Sequence, residues 1–262
     1  ESMSNVLAGC AEAFHELQPD IVVVLGDRFE IFAAASAALV AKIPVAHLHG
    51  GESTVGAFDE AMRHSITKMS QLHFVAAKAY ADRVVQLGET PSKVFNVGGL
   101  GIDNIKNLNL LSLEELETSL QIELDKQSLL VTFHPVTLED ETGEHQMREL
   151  LDALSELKDT SIIFTMPNAD TGGRRLIKMI NEYVSQNVNS HVFTSLGQLR
   201  YLSCLAHVDA MVGNSSSGII EAASFNKVVV NIGDRQKGRA QSNNVYNAKF
   251  DENEIISKFN LA

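Results

Sequence analysis

No stretch of the 262-residue chain stays apolar for the roughly 18 residues that a membrane-crossing helix requires, which excludes a transmembrane segment of that kind. The start, Glu1-Ser-Met-Ser, lacks the basic and apolar regions of a secretion signal. Only two cysteines occur, Cys10 and Cys204, with no Cys-x-x-Cys spacing; a disulfide framework is excluded and the cytoplasm is the expected compartment. No block of like charge interrupts the chain. Its net charge of −12 is spread along the whole length, which argues against nucleic acid and anionic membranes as partners. Repeats, coiled-coil heptads and low-complexity segments are also missing. So is Gly-x-Gly-x-x-Gly: Gly98-Gly-Leu-Gly101 lacks that spacing, no capped helix is expected directly after it, and NAD is not an expected cofactor. His47 and His49 share a strand face but find no third ligand at a convincing spacing, so no metal is expected.

What the chain does have is alternation. Ile21-Val-Val-Val-Leu25 is a near-continuous β-branched run, the pattern of a parallel strand covered on both faces. Helical spacing over 4–18 precedes it, and an alanine-rich helix to about Lys42 follows. Further strands are expected at Val45–His49, 72–76 and 93–97, with helices at 60–71 and 78–87 between them. A linker is placed at about 100–111, dividing the chain into 1–103 and 104–262. Beyond it, strands near 128–133, 161–165, 191–194, 209–212 and 228–232 alternate with helices. The fold class is therefore α/β, with two Rossmann-like domains built from parallel βαβ units. The first domain opens on a helix and shows four strands, so a first βαβ unit reads as absent; the end, Asn260-Leu-Ala, reads as cut inside a helix.

In open α/β sheets ligands bind beyond the carboxyl ends of the strands. The polar residues that follow each strand are the candidates: Asp27, Arg28 and Glu30; His49 and Glu52; His134; Asn168 and Asp170; Asn214 to Ser217; and Asp234 to Arg239. The densest signal is Val212-Gly-Asn-Ser-Ser-Ser-Gly-Ile-Ile-Glu221. A strand that breaks into a Ser/Gly turn and restarts as a helix collects free N–H groups, hydroxyls and the positive end of a helix dipole, which suits a phosphate. Glu221, one turn on, suits a ribose diol. Arg235-Gln-Lys-Gly-Arg239 offers the local cationic pocket that an anionic ligand needs in so acidic a chain. Asp59 reads as the cap of a helix on which Glu60, Arg63, His64 and Thr67 share one face and Met62, Ile66 and Met69 another. If Asp27, Glu52, Asp59 and Glu60 converge, their mutual repulsion separates acid from base roles. His47, His73 and His207 read as buried structural residues.

These segments together resemble the UDP-N-acetylglucosamine 2-epimerases, specifically the hydrolysing branch of sialic-acid biosynthesis. The carrying motifs are GDRFE (26–30), HLHGGE (47–52), FDEAMRHSITK (58–68), FHPVT (133–137), PNADTGG (167–173), GNSSSGIIE (213–221) and NIGDRQKGR (231–239). The resemblance implies a glycosyltransferase-B-like arrangement with the substrate in the interdomain cleft, a nucleotide-sugar as small-molecule partner, no cofactor, and a homo-oligomer (dimer or tetramer). It implies conversion of UDP-GlcNAc and water to N-acetylmannosamine and UDP through a 2-acetamidoglucal, or the same chemistry on a UDP-2,4-diacetamido-trideoxyhexose of legionaminic-acid pathways. By motif, Asp27 matches the C2 base, Glu52 and Glu60 the acid/base carboxylates, and Asp59 and Arg63 their support. His134 matches the residue beside the leaving diphosphate, Ser215 and Ser216 the phosphate contacts, and Glu221 the ribose contact. Arg28, His64, Asn168, Asn214, Ser217, Gly218, Arg235 and Arg239 complete the implied substrate site. The family's opening strand and Gly-Thr-Arg have no counterpart here, which makes little activity the expectation for residues 1–262 alone. Other readings on the same fold are the non-hydrolysing epimerase, a glycosyltransferase and a non-catalytic UDP-sugar-binding module.

Overall fold

A computed structural model describes residues 2–53, 58–134, 142–167 and 173–260. It divides into two compact units, Glu1–Leu100 and Gly101–Ala262.

The first unit is a four-stranded parallel sheet in the order β1 (Val22–Leu25), β2 (Val45–Leu48), β3 (Leu72–Val75), β4 (Val94–Asn96). Helices α1 (Ser2–Leu17), α2 (Phe29–Val40), α3 (Asp59–Met69) and α4 (Lys78–Gln86) accompany it. The alanines of α2 let it lie close to the sheet: Ala35 and Ala38 are buried with Val24, Val45 and Ile66 in one cluster. One expectation is corrected at β1. Its run of β-branched residues is not covered on both faces, since only Val24 is buried while Val23 and Leu25 are 63% and 52% exposed. β1 is the sheet's edge strand among the described residues. A second correction concerns Gly98-Gly-Leu-Gly101, after which no capped helix was expected directly. Leu100–Asn107 forms a helix, α5, with Ile102, Ile105 and Leu108 half-buried at helical spacing. The polar residues between them hid that period, and a helix does begin at the glycine-rich segment.

The second unit is a six-stranded parallel sheet: β5 (Gln127–Thr132), β6 (Thr160–Thr165), β7 (Ser190–Phe193), β8 (Ala210–Gly213), β9 (Val228–Ile232) and β10 (Val245–Ala248). Its order is β10-β9-β8-β5-β6-β7, so the chain runs outward one way from β5 and then the other way from β8. Helices α6 (Leu113–Leu120), α7 (Thr142–Ser155), α8 (Gly173–Gln186), α9 (Gly197–His207), α10 (Ser216–Ile220) and α11 (Glu252–Phe259) complete it. Two apolar clusters hold the unit. One joins Val131, Phe133 and Phe164 to Leu150, Leu154, Leu176 and Ile180. The other joins Leu130, Ile163 and Met211 to Leu116, Cys204 and Leu205. Side chains of alternating parity along β5 feed the two clusters, as a strand buried on both faces must. A sixth strand, β10, goes beyond the five expected here, because Val-Tyr-Asn-Ala is too short and polar to stand out.

Candidate functional site

In the second unit the order of the sheet reverses between β5 and β8, and such a switch point opens a crevice at the carboxyl ends of the two strands. Thr132 pairs with Gly213, so the residues that follow leave the sheet side by side. Gly213 has φ +131, and a Cβ there would overlap the Thr132 carbonyl oxygen, so only glycine permits this approach. Asn214, fully buried, then bridges back to the other strand. Its Oδ1 accepts from the His134 N–H at 2.7 Å and its Nδ2–H donates to the His134 carbonyl at 2.8 Å. The Asn214 carbonyl accepts from Arg235 Nη1–H at 3.2 Å and from Gln236 Nε2–H at 2.8 Å. One asparagine thus ties the segments after β5, β8 and β9 to a single point. Burial lowers the His134 imidazole to about 4, helped by the positive charge of Arg235, so at pH 7 it is neutral.

Ser215 caps α10, its Oγ accepting from the Ser217 N–H at 3.3 Å. The helix is shorter than its composition led us to expect: five residues, followed by a 3₁₀ turn at Ala222–Phe225. Its dipole is correspondingly small, and the hydroxyls and N–H groups of the turn are the main donors. Ser217 Oγ is buried beside the Tyr201 phenol. Burial raises Tyr201, which keeps that hydroxyl protonated. Gly218 serves packing: a Cβ there would lie 2.9 Å from Val229 Cγ1. Glu221 is half-buried, and an added Cβ at Gly101 would come within 3.0 Å of its Oε1. Arg235 turns to Asn214, while Lys237 and Arg239 line a separate recess of about 410 Å³ with Asn231, Asn247 and Lys249.

In the first unit Arg63, only 4% exposed, donates from Nη2 to Asp27 Oδ2 just beyond β1. Its Nη1 stands 3.9 Å from Glu60 Oε2. Ser53 Oγ–H donates to both Glu60 oxygens, at 3.0 and 3.1 Å, and His64 Nε2 is 3.6 Å from Glu60 Oε1. Asp27 and Glu60 therefore both face the Arg63 guanidinium. The polar stripe of α3 faces inward: Arg63 and Thr67 are buried. Phe58 occupies the cap position, so Asp59 is the first residue of the helix and not its cap. Thr67 Oγ–H donates to the Arg63 carbonyl at 3.0 Å and Thr67 Oγ lies 3.2 Å from His47 Nδ1. His47 Nε2–H donates to the Gly26 carbonyl at 2.9 Å, anchoring the strand end that carries Asp27. Burial lowers His47 to about 4, against the opposing pull of the Gly26 bond. Glu52, with a side chain 5% exposed, faces His49 Nδ1 at 2.8 Å. Arg28 is on the outer side of this group, its Nε 3.4 Å from Glu30 and its guanidinium 5.7 Å from the Phe29 ring centre. Asn168 and Asp170 lie outside the described residues. Gln236 and Tyr201 were not singled out by sequence; Gln236 sits uncharged inside a cationic run, and that was the available signal.

The model of the UDP-N-acetylglucosamine 2-epimerase family matches residues 1–262. Among curated proteins, the chain is 44% identical over 253 residues to the GDP/UDP-N,N'-diacetylbacillosamine 2-epimerase (hydrolyzing) of Campylobacter jejuni, covering 96% of this chain and 66% of that protein. It is 41% identical to polysialic acid biosynthesis protein P7 of Escherichia coli, over all of this chain and 66% of that one. With the UDP-N,N'-diacetylbacillosamine 2-epimerase (hydrolyzing) of Legionella pneumophila it shares 40% over 94% of this chain and 64% of the relative. The chain thus spans about two thirds of the length of these relatives. Among solved structures, the UDP-GlcNAc 2-epimerase of Methanocaldococcus jannaschii in complex with UDP-GlcNAc and UDP aligns with TM-score 0.83 at 18% identity, over 99% of this chain and 73% of that one. The Neisseria meningitidis enzyme bound to UDP-GlcNAc aligns at 0.79 and 19%, over 98% and 72%. At that identity the likeness speaks for the fold, α/β with parallel sheets, of the glycosyltransferase-B-like class. On the match along its whole length, the chain belongs to the UDP-N-acetylglucosamine 2-epimerase family.

Proposed function

We propose that the protein is a hydrolysing 2-epimerase of UDP-linked 2-acetamido sugars, releasing UDP and a free sugar inverted at C2. The observation that carries this reading is the strand-end cluster in which buried Arg63 holds Asp27 and faces Glu60. Eliminating UDP from such a sugar needs a base for the C2 proton and donors for the departing diphosphate. Asp27 takes the C2 proton as the C1–O bond breaks, leaving a 2-acetamidoglucal. Arg63 keeps that carboxylate in place, and Glu60, with Asp59 beside it in sequence, serves the addition of water. The Ser215–Ser217 turn, Arg235 and the neutral His134 receive the diphosphate, and Glu221 the ribose. Elimination and hydration leave the oxidation state unchanged, so the reaction calls for no NAD.

The relatives named for N,N'-diacetylbacillosamine support a 2,4-diacetamido sugar as the first substrate to try. The polysialic-acid relative supports UDP-GlcNAc, with N-acetylmannosamine as product, as the second. Incubating the full-length protein with each UDP-sugar and following products by NMR tests the reading. Release of UDP and a manno-configured free sugar from either supports it. A UDP-linked epimer moves the protein to non-hydrolysing chemistry, and binding without turnover makes it a UDP-sugar-binding module.

A further inference from the structure

We infer that His49 is the group that returns a proton to C2 of the sugar, and that Glu52 behind it is a positioning residue; the inference rests on the epimerase reading above. His49 is the first residue after β2, and its backbone lies in the left-handed region at φ 63. A non-glycine residue held there is strained, and such strain persists only where its surroundings impose it. They do so here. A Cβ on Gly50 would stand 3.0 Å from His47 Nδ1 and 3.1 Å from Thr67 Oγ1. One on Gly51, at φ +78, would overlap the Tyr80 carbonyl, and the Gly51 carbonyl itself accepts from Arg83 Nη1–H. The two glycines are wedged between α3 and α4, and the turn they force presents the His49 ring at the strand end.

That ring has a defined partner on each nitrogen. Nδ1 is 2.8 Å from Glu52 Oε1, and the Leu100 N–H approaches Nε2 at 3.5 Å. A backbone N–H approaches a lone pair, so both contacts agree on one tautomer: Nδ1–H donates to the carboxylate and Nε2 is the basic atom. An imidazole oriented and stabilised by a carboxylate on its far nitrogen is a general acid/base arrangement. Exposure decides which member of the pair can meet a sugar. The His49 side chain is 19% exposed and that of Glu52 only 5%.

The stereochemistry gives this pair a task. Inversion at C2 requires a proton to leave one face and another to arrive at the opposite face, so a single fixed carboxylate cannot do both. Asp27 and His49 follow the adjacent, paired strands β1 and β2. Asp27 removes the C2 proton. The imidazolium of His49 then gives its Nε2 proton to C2 of the glycal while the oxygen of water bonds to C1. The proton released from that water passes to Glu60 and on to solvent, and neutral His49 regains one from solvent while Glu52 holds the ring in place.

The test is His49→Gly in the purified protein, a substitution that suits φ 63 and leaves the turn intact. Turnover is expected to fall by about 10²-fold or more, as for loss of a general acid. UDP affinity should stay within a few-fold, UDP release should outlast sugar formation with the glycal accumulating, and imidazole added to the buffer should restore sugar formation. Glu52→Gln, which keeps the shape but weakens the orientation, is expected to cost less. A His49→Gly protein that turns over at the unsubstituted rate, or that binds UDP but gains nothing from imidazole, overturns the assignment. An unsubstituted protein that turns over no nucleotide-sugar overturns the epimerase reading and this inference together, so the two failures are distinct.

Discussion

Replacing Asn214 by alanine removes the link that holds the proposed nucleotide site of the second unit together. Two hydrogen bonds disappear, at 2.7 and 2.8 Å, and both partners are main-chain groups of one residue, His134. Because Asn214 is fully buried, no bulk water is at hand to replace it. Leaving a buried donor or acceptor unmade costs about 1–3 kcal/mol, so the pair should cost about 2–6 kcal/mol of stability. The bonds from Arg235 and Gln236 go to the Asn214 main-chain carbonyl and survive the substitution, which confines the damage to the β5–β8 crossing. Urea titration followed by circular dichroism measures the stability change, and calorimetry with UDP measures the site. The expected result is a lower midpoint and UDP binding weakened at least about tenfold, roughly 1.4 kcal/mol. A stability change under about 0.5 kcal/mol, the range of an ordinary surface substitution, with unchanged UDP affinity would refute the claim that this bridge builds the site.

Three further outcomes follow from the same geometry. Ser215→Ala combined with Ser216→Ala should weaken UDP binding by about 1–3 kcal/mol, the loss expected for hydrogen bonds to a charged group; unchanged calorimetric affinity removes the turn from the diphosphate site. Asp27→Asn keeps the shape but cannot take a proton, so turnover should fall about 10²-fold or more while UDP still binds, and near-normal turnover would place the base elsewhere. His47 and His134 are both lowered from 6.5 to about 4, so between those values the unfolded chain binds more protons than the folded one. Stability should therefore be full above pH 6.5 and fall as pH drops toward 4, by up to about 3 kcal/mol for each histidine. A flat stability profile across that window in urea titrations contradicts their neutral burial.

The parallel sheets were legible because β-branched runs such as Val22–Leu25 and Val228–Ile232 carry their own signature, and the rule that ligands sit past strand ends picked out Asp27, His134 and Asn214. What remained hidden was long-range. The Asn214–His134 bridge joins residues 80 apart, and no local pattern announces it. The Arg63–Asp27 pair spans 36 residues, and no local pattern announces that Arg63 and Thr67 of the α3 stripe are buried. Likewise, His49 reads as one polar residue among several until its positive φ and its carboxylate partner are seen. Helix α5 was concealed by polar residues between half-buried isoleucines, and β10 by its brevity.

The central claim is hydrolytic epimerisation at C2, and the fate of the C2 hydrogen tests it most directly. Turnover of the UDP-linked 2-acetamido sugar in deuterated water, followed by NMR, should give UDP and a free manno-configured sugar carrying deuterium at C2. A free sugar that retains its original C2 hydrogen, or a manno-configured sugar still joined to UDP, would contradict the account.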